Sequence, residues 1–347
     1  MSEVLQADIY DMLSDSNIQW DSLHGAVVLV TGVTGLIGGA LAAVLSAANE
    51  RNGLNLRIIG HGRNKDKGED LAKNFGLEFV CGDIRKPSIL ADITDGIDYI
   101  FHCAAITKSA DMVATPVDVI EAAVDGTRNI LELARAKGCK SFVFLSSMEV
   151  YGQTKLGEVR ESDLGYLELS NPRSSYPESK RFCEMLCVAY FAQYQLPVKI
   201  ARLAQTFGAG SPKDDTRVFA QFARSALNSE NLELHTEGKS RGNYCYISDT
   251  VCGLLTLLLK GKDGEAYNIA NPSASATIRE MAEIVANEVC GGKIKVVVNV
   301  PEDIVVRGYA PDAGYTLNAD KLISLDWVPR FGLADMYQRM LADWQGR

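Results

Sequence analysis

The chain has 347 residues, 47% of them hydrophobic, and its 44 Asp and Glu against 35 Lys and Arg give a formal net charge of −9. This composition is typical of a globular protein with a buried core, and the negative balance argues against non-specific nucleic-acid binding. The longest apolar run, Val251 to Leu259, has about half of the roughly 18 residues that a membrane helix needs. We therefore expect neither nucleic acid nor a membrane as a partner.

The N-terminal segment and the cysteines bear on the cell compartment and on metals. Met1-Ser2-Glu3 is followed by acidic residues, without the basic start and apolar run of a secretory signal, so we expect a cytoplasmic protein. The eight cysteines lie mostly in apolar stretches and none forms a Cys-x-x-Cys pair, which favours reduced thiols over disulfides or zinc. Cys183 and Cys187 are one helical turn apart without a nearby histidine, and no metal site is predicted.

Short apolar runs of strand length recur through the first two hundred residues. The first, Ala26 to Val30, shows no alternation, as expected for a strand that is covered on both faces. Similar runs follow at 56–60, 77–80, 99–103, 141–145 and 198–203. Helical patterns such as Val117 to Ala136 and Lys180 to Tyr194 lie between them. Strands that alternate with helices predict an α/β fold with a doubly wound parallel Rossmann sheet.

The alternation ends near residue 204, and glycines, prolines and short helices follow. Two later runs, Tyr244 to Ile247 and Ala266 to Ile269, are interpreted as strands that return to the main sheet. The first 24 residues are a polar extension that could hold one short helix. We predict a dinucleotide-binding domain over 25–203 plus about 243–271, and a smaller, discontinuous C-terminal substrate domain over 204–242 plus 272–347.

A glycine-rich loop follows the first strand directly and leads into an Ala- and Leu-rich helix. Glycines allow positive φ and let a pyrophosphate approach the backbone, while the free N–H groups of the helix stabilise its charge. A tight turn that needs small residues is the alternative, and the position at the first strand–helix junction favours a dinucleotide. The candidate cofactor-binding residues of this loop are Gly32, Thr34, Gly35, Leu36, Ile37 and Gly38.

Later strand ends concern the other half of the cofactor. Asp83 and Ile84 follow the third strand, and Ala104 and Ala105 follow the fourth, where a doubly wound sheet contacts adenine and ribose. The second strand ends without an acid that could accept the ribose hydroxyls. There, Arg63 is either a ligand of a 2′-phosphate or an ordinary solvated arginine. The choice between NAD and NADP stays open.

A phenol and an ammonium, Tyr176 and Lys180, are four residues apart, hence on one face of a helix that begins near Tyr176. Lowering a phenol pKa from about 10 to about 7 requires roughly 4 kcal/mol, which a nearby ammonium and an oxidised nicotinamide can supply. The same spacing also occurs on ordinary surface helices. The fifth strand, however, ends in Ser146-Ser147-Met148-Glu149 at the sheet edge where catalytic groups gather, which favours a site.

These motifs together resemble the extended short-chain dehydrogenase/reductases, in particular the NAD-dependent epimerase/dehydratase group that modifies nucleotide sugars. The shared pieces are Thr-Gly-x-x-Gly-x-x-Gly from Thr31, Ser-Ser-x-x-Val-Tyr-Gly from Ser146, Tyr-x-x-x-Lys from Tyr176, and Tyr-Cys-Tyr-Ile-Ser-Asp from Tyr244. The resemblance extends from about residue 25 to Trp327. It implies that Ser147 hydrogen-bonds a sugar hydroxyl, that Tyr176 removes its proton and that Lys180 holds the cofactor ribose. Hydride then leaves sugar C4.

Within that family, Glu149 separates the reactions. Sugar-nucleotide 4,6-dehydratases carry Asp-Glu where this chain has Met148-Glu149, hexuronate decarboxylases keep only the glutamate, and simple 4-epimerases usually lack it. Met148 cannot donate a proton to a leaving hydroxyl, so the pattern is closest to the UDP-glucuronate decarboxylase-like members. The resemblance implies C4 oxidation followed by decarboxylation or epimerisation. A 4,6-dehydratase, or Glu149 as a bystander on an exposed turn, is the alternative.

Further substrate contacts follow from positions in the family pattern. Decarboxylases usually place an arginine where this chain has Gly242, with Arg241 one residue earlier. Gln205 and Gln221 stand where asparagines are common, which leaves the nucleotide open between UDP and others. Arg217 is a diphosphate ligand or a solvated arginine. The candidate substrate-binding residues are Thr107, Ser147, Met148, Gln205, Arg217, Gln221 and Arg241.

Two helical segments, 117–136 and 179–194, carry apolar residues on more than one face. In this family that pattern indicates a homodimer; the alternative is burial within the monomer.

Two other functions stay open. Arg63 favours an NADP-dependent carbonyl reductase. The second is a non-catalytic dinucleotide sensor. The presence of Ser147, Tyr176 and Lys180 together speaks against it, because a sensor need not retain all three.

Overall fold

The computed structural model describes residues 1–86, 96–300 and 314–346. Its strands are β1 (Val27–Thr31), β2 (Arg57–Gly62), β3 (Glu78–Cys81), β4 (Tyr99–His102), β5 (Ser141–Ser147), β6 (Glu158–Val159), β7 (Val198–Leu203), β8 (Gln205–Phe207), β9 (Leu232–Leu234), β10 (Arg241–Gly242), β11 (Tyr244–Tyr246), β12 (Ala266–Ile269), β13 (Ala276–Thr277), β14 (Val296–Val298) and β15 (Thr316–Leu317). Its helices are α1 (Glu3–Leu13), α2 (Leu36–Asn52), α3 (Lys65–Phe75), α4 (Ser109–Ala114), α5 (Pro116–Lys137), α6 (Ser175–Tyr194), α7 (Val218–Asn228), α8 (Ile247–Lys260), α9 (Ile278–Ile284), α10 (Asp320–Ile323) and α11 (Leu333–Gln345). None of these described helices is both long and apolar enough to cross a bilayer.

Seven strands form one parallel sheet in the order β3-β2-β1-β4-β5-β7-β12. The chain starts at β1, winds outward through β2 and β3, and then continues from β4 on the other side of β1, which is the doubly wound order. Val28 of β1, for example, pairs with Ile58 on one side and with Tyr99 on the other. The predicted fold is confirmed, and each of the six apolar runs overlaps a strand.

Helices cover both faces of this sheet. Val28 and Val30 belong to the hydrophobic core that includes α2 and α8, whereas Leu29 belongs to the core that includes α5 and α6. Successive residues of a strand point to opposite faces, so a strand that is buried on both faces is apolar throughout. This explains the absence of alternation in the first apolar run of the sequence.

One predicted strand pairing is wrong. β12 joins the main sheet beside β7, as expected, but β11 pairs in parallel with β8 in a separate two-stranded sheet. The chain leaves the main sheet after Ala204, whose N–H donates to Ile269, and the following N–H, of Gln205, donates instead to Asn243. β11 therefore follows the diverging segment and not the main sheet. The division into two domains stays a prediction.

The N-terminal segment forms α1, which packs against α2, α8 and α11. Ser2 caps this helix, since its hydroxyl accepts a hydrogen bond from the Leu5 N–H at 3.3 Å. Asp8 is buried, accepts a hydrogen bond from the Tyr246 hydroxyl at 2.6 Å and pairs with Arg339 of α11. Burial raises the pKa of Asp8 to about 6 in spite of these partners. The N-terminal extension is thus part of the folded protein, because α1 packs on three other helices.

A buried ion pair joins α6 to the sheet. Glu184 of α6 and Arg202 of β7 lie 2.7 Å apart between Oε2 and Nη2, with side chains that are only 9% and 6% exposed. The Ser146 hydroxyl, one residue before the end of β5, donates to Glu184 Oε1 at 2.5 Å. Arg202 also donates to the Tyr151 hydroxyl at 3.2 Å. One charged cluster therefore fixes α6 against both β5 and β7.

Arg202→Met is expected to lower the free energy of unfolding by about 3 to 5 kcal/mol, because it leaves the buried Glu184 carboxylate without its cation. Arg57→Met is the matched control, since Arg57 pairs with Glu78 at 2.6 Å where the side chains are 35% and 55% exposed. Its loss should stay below about 1 kcal/mol. Urea denaturation followed by circular dichroism measures both. An equal decrease in the free energy of unfolding in both variants would contradict the prediction that the buried pair contributes more than the exposed one.

Candidate active site

The carboxyl ends of the sheet strands border a cleft of about 1490 Å³. Residues at or just beyond five strand ends line it: Gly32, Arg63, Ala104, Ser147 and Gln205. Ligands of open α/β sheets bind at this edge. The volume exceeds the roughly 300–1,000 Å³ of an ordinary small-molecule pocket, so a cofactor and a substrate can lie side by side.

The glycine-rich loop forms one wall of this cleft. Gly32 has a φ of +67°, and a Cβ there would lie 2.9 Å from Cα of Ala104; a Cβ on Gly38 would overlap the Gly32 carbonyl oxygen. The tight turn alone therefore requires both glycines. What favours a phosphate ligand is that α2 begins in the cleft wall at Leu36, where first-turn N–H groups have no acceptor within the helix. The loop thus fits a dinucleotide pyrophosphate.

All the predicted contacts of the loop with the cofactor line the cleft, and so do Asp83, Ile84, Ala104 and Ala105. The Ala104 N–H donates to the Thr31 hydroxyl at 3.2 Å, which holds the ends of β1 and β4 together. Arg85 donates to the Asp83 carboxylate through Nη2 at 2.6 Å and Nε at 2.9 Å. These hydrogen bonds lower the pKa of Asp83. The first hydrogen bond fixes the backbone between β1 and β4, and Arg85 neutralises the carboxylate beyond β3.

Ser147 ends β5, Tyr176 is the second residue of α6, and both line the cleft. Burial raises the pKa of Tyr176 above its ordinary value, and the Glu149 carboxylate raises it further. The nearby Ser147 hydroxyl and Arg173 guanidinium oppose that rise without overcoming it. The side chains of the protein thus keep the phenol protonated at neutral pH. The expected fall of its pKa to about 7 requires a positive charge beyond theirs.

Lys180 lies one helical turn after Tyr176, as the spacing predicts, and is buried. Its Nζ donates to the Leu145 carbonyl oxygen at 2.7 Å and lies 4.8 Å from the centre of the Phe144 ring and 5.9 Å from that of Tyr176. Burial lowers the pKa of Lys180. Lys180 is not among the described residues that line the cleft, so its contact with the cofactor ribose stays a prediction.

Arg173 is a cleft residue that the sequence analysis missed. It lies in the 3-10 turn Pro172–Ser174, immediately before α6. Its Nη1 and Nη2 bind Glu149 Oε2 and Oε1 at 2.8 Å and 3.0 Å. The only signal in the sequence is an arginine three residues before Tyr176, which by itself is ordinary. The ion pair places one charge of each sign beside the Tyr176 hydroxyl.

Most of the predicted substrate ligands also line the cleft, namely Thr107, Ser147, Met148, Gln205, Arg217 and Arg241. Arg217 pairs with Asp215 at 2.6 Å, and Arg241 donates to the Ser275 carbonyl oxygen at 3.1 Å. Gln221 lies elsewhere. It is on the exposed face of α7, and its amide donates to the Thr216 carbonyl oxygen at 2.7 Å.

Comparison with known proteins identifies the family. Residues 28–270 match the model of the NAD dependent epimerase/dehydratase family. The chain belongs to this family. UDP-glucuronic acid decarboxylase 3 of Arabidopsis thaliana is 31% identical to it over 324 residues, which cover 92% of this chain and 89% of the relative.

Solved structures of relatives agree with this family. DesIV, a dTDP-glucose 4,6-dehydratase from Streptomyces venezuelae solved with NAD and TYD bound, matches with a TM-score of 0.75 and 26% identity, over 92% of this chain and 97% of that one. The UDP-glucose 4-epimerase of Thermotoga maritima, solved with UDP-glucose, matches with a TM-score of 0.78 over 92% and 98% of the two chains; its 22% identity shows the fold alone.

Family membership confirms the predicted enzyme class. The chain is a nicotinamide-dependent enzyme of the nucleotide-sugar-modifying class, and the alternative of a non-catalytic sensor is set aside. The relatives represent decarboxylation, 4,6-dehydration and 4-epimerisation. The family alone therefore gives the cofactor and substrate class and leaves the reaction open among these three.

Tyr176→Phe is expected to lower turnover of the nucleotide sugar at least about a hundredfold, because it removes the group assigned to proton transfer. Binding of the nicotinamide cofactor, followed by fluorescence titration, should change little, since the ring keeps its packing. Tyr166→Phe is the matched control: Tyr166 also lines the cleft, but its hydroxyl donates to Glu168 at 2.8 Å on the surface. Full activity of Tyr176→Phe, or an equal loss in both variants, would remove Tyr176 from this role.

Proposed function

We propose that this enzyme oxidises a nucleoside-diphosphate hexuronate at C4 and then releases its carboxylate as carbon dioxide. The observation that carries the proposal is the Glu149–Arg173 pair in the cleft beside Tyr176. A hexuronate brings a carboxylate that needs a cation with unused donors. Among the described residues, the Arg173 side chain bonds only Glu149, through two of its five N–H donors. The decarboxylase relative adds support.

In the first step, Tyr176 takes the proton of the C4 hydroxyl as the C4–H bond breaks. Bound oxidised nicotinamide supplies the acceptor of that hydride. Ser147 hydrogen-bonds the same hydroxyl and orients it toward Tyr176. Lys180, fixed on the Leu145 carbonyl oxygen, keeps a cation beside the Tyr176 ring. The product of this step is a 4-keto sugar whose carboxylate is β to the new ketone.

In the second step, the bond between C5 and the carboxyl carbon breaks, carbon dioxide leaves, and the electron pair moves into the C4 ketone as an enolate. A proton from solvent adds to C5. Tyr176 then returns its proton to the C4 oxygen as C4 is reduced again, for which the reduced cofactor would supply the hydride, so the sugar undergoes no net redox change. Arg173 orients the carboxylate through its remaining donors, and Glu149 holds Arg173 in place.

Met148 favours decarboxylation over 4,6-dehydration. Its buried thioether lines the cleft and cannot donate a proton to a leaving hydroxyl. The backbone carbonyl oxygen of Met148 accepts a hydrogen bond from the Tyr315 hydroxyl at 3.3 Å, and burial raises the pKa of that phenol. The position where dehydratases carry an acid is therefore apolar in this chain.

Two arginines are assigned to the diphosphate. Arg217 is oriented by Asp215 and by the Phe219 ring, whose centre is 4.7 Å from the guanidinium carbon. Arg241 is oriented by the Ser275 carbonyl oxygen. Both line the cleft and retain donors for phosphate oxygens. Gln205, in the same wall, is assigned to the nucleotide, whose base the proposal leaves open.

Incubation of the purified enzyme with UDP-, CDP-, GDP- and dTDP-hexuronates is expected to yield, with one of them, carbon dioxide and a nucleotide pentose, measured by mass spectrometry. Arg173→Met should raise the KM for that hexuronate about tenfold or more, because a charge-assisted contact is lost. Binding of the corresponding neutral hexose nucleotide should change far less.

Lys155→Met is the matched control, since Lys155 is an exposed cation that also lines the cleft. It should leave the KM for the hexuronate nearly unchanged. Loss of water, an unchanged mass with altered stereochemistry, or a gain of two hydrogens would each overturn decarboxylation and select dehydration, epimerisation or reduction.

We also propose a cytoplasmic homodimer, in which α5 and α6 form the interface. These helices pack on each other, yet Val117, Ile120, Phe182 and Met185 are exposed on them. Exposed apolar side chains on two adjacent helices are typical of a subunit interface.

Phe182→Asp is expected to shift the protein from dimer to monomer, because it places a charge in the proposed interface. Light scattering after size-exclusion chromatography gives the mass. Val328→Asp, which changes another exposed apolar side chain outside these helices, should leave the mass unchanged. A monomeric wild-type protein, or a Phe182→Asp variant that stays dimeric, would contradict the proposal.

A further inference from the structure

We propose that the adenosine end of the cleft selects the dinucleotide that carries a 2′-phosphate, NADP, and that Arg63 is the residue that makes this selection. Arg63 follows β2 directly and lines the cleft together with Gly62 and Asn64. Its side chain is exposed and makes no hydrogen bond or ion pair with residues 1–86, 96–300 or 314–346. A guanidinium at the end of the second strand can bind a phosphate on the ribose.

The same strand end carries no carboxylate that would favour free ribose hydroxyls. From residue 58 to 64 the sequence is Ile-Ile-Gly-His-Gly-Arg-Asn, without an acid. His61 lines the cleft there and is buried. Burial lowers the pKa of His61 to about 4, more than the Gly82 backbone and Asp83 raise it. The ring is therefore neutral at neutral pH, and Arg63, not His61, supplies the positive charge for a phosphate.

A carboxylate near this strand end is already neutralised. Asp83, just beyond β3, accepts three hydrogen bonds from Arg85, at 2.6, 2.9 and 3.1 Å. The charge of Arg63 also contributes to the lowered pKa of Asp83, so the two groups lie near each other. Because Arg85 holds Asp83, Arg63 keeps its donors. Arg85 also pairs with Asp118 at 3.0 Å and with Glu121 at 3.3 Å, so its charge is committed to carboxylates and Arg63 is the cation that a phosphate would meet.

The alternative is an acidic side chain at the end of β2 that binds the free ribose hydroxyls, and the space around Gly62 bears on it. A Cβ at this position would lie 3.2 Å from the Thr34 hydroxyl oxygen and from its methyl carbon, closer than side chains ordinarily pack. A side chain at this position, including a carboxylate that would accept both ribose hydroxyls, would therefore require Thr34 to shift by a few tenths of an ångström. The phosphate preference concerns cofactor binding and holds whichever sugar reaction the enzyme performs.

The test is the binding of two pairs of probes by isothermal titration calorimetry. Wild-type protein is expected to bind NADP⁺ about tenfold or more tightly than NAD⁺, and 2′,5′-ADP more tightly than 5′-AMP by a similar factor. Arg63→Ala should abolish most of both preferences by weakening the 2′-phosphorylated probes, with little change for NAD⁺ and 5′-AMP. Arg63→Lys should retain part of the preference, because it keeps the charge and loses the planar fork.

Lys65→Ala is the matched control. It removes one positive charge two residues away, on α3, where Lys65 is 3.7 Å from Glu69 and outside the cleft wall. Both preferences should survive in this variant. Equal or tighter binding of NAD⁺ by the wild type would overturn the proposal, and so would a loss in Arg63→Ala that is the same for both members of each pair. Neither result would bear on the decarboxylation proposal, which is tested on Arg173.

Discussion

The buried ion pair between Glu184 and Arg202 holds in place the part of the cleft that contains Ser147 and Tyr176. Glu184 lies about two helical turns beyond Tyr176 on α6, and the same carboxylate accepts a hydrogen bond from Ser146, the neighbour of Ser147. Any shift of α6 along β5 would break charged hydrogen bonds where water cannot replace them. The relative positions of Ser147 and Tyr176 thus depend on two charges that lie outside the cleft wall.

The ion pairs of the cleft walls are more exposed to solvent than the Glu184–Arg202 pair of the core. Glu149 binds Arg173 and Asp215 binds Arg217, and in each case the carboxylate orients a guanidinium that keeps further donors. A chain with a net charge of −9 can therefore present oriented cations to an anionic ligand. Orientation before binding reduces the side-chain entropy that a ligand must overcome. At the adenosine end, Arg63 has no such partner among the described residues, and a ligand phosphate would be its first.

Local patterns predicted what depends on neighbours in the chain, and failed where distant segments meet. The β1–loop–α2 unit and the Tyr176 helix were predictable, since turn chemistry and helical spacing act over a few residues. Asp8 meets Tyr246 across 238 positions. The pairing of β11 with β8 follows from a chain divergence after β7 that no pattern within β11 indicates. Arg173 was missed for the same reason, because its meaning depends on Glu149, which lies 24 residues earlier.

The proposed proton transfer by Tyr176 depends on the other charges in the cleft. Burial and Glu149 raise its pKa, and burial also lowers the pKa of Lys180, whose ammonium is committed to the Leu145 carbonyl oxygen. Only added positive charge makes the phenol a base. Burial contributes most to the raised pKa and Glu149 adds to it, and the effect of Glu149 is smallest while Arg173 is bound to it. A substrate carboxylate that draws Arg173 away would strengthen the effect of Glu149 and hold the proton on Tyr176. In the proposed mechanism, Arg173 therefore binds both carboxylates at once, which its planar, five-donor head group allows.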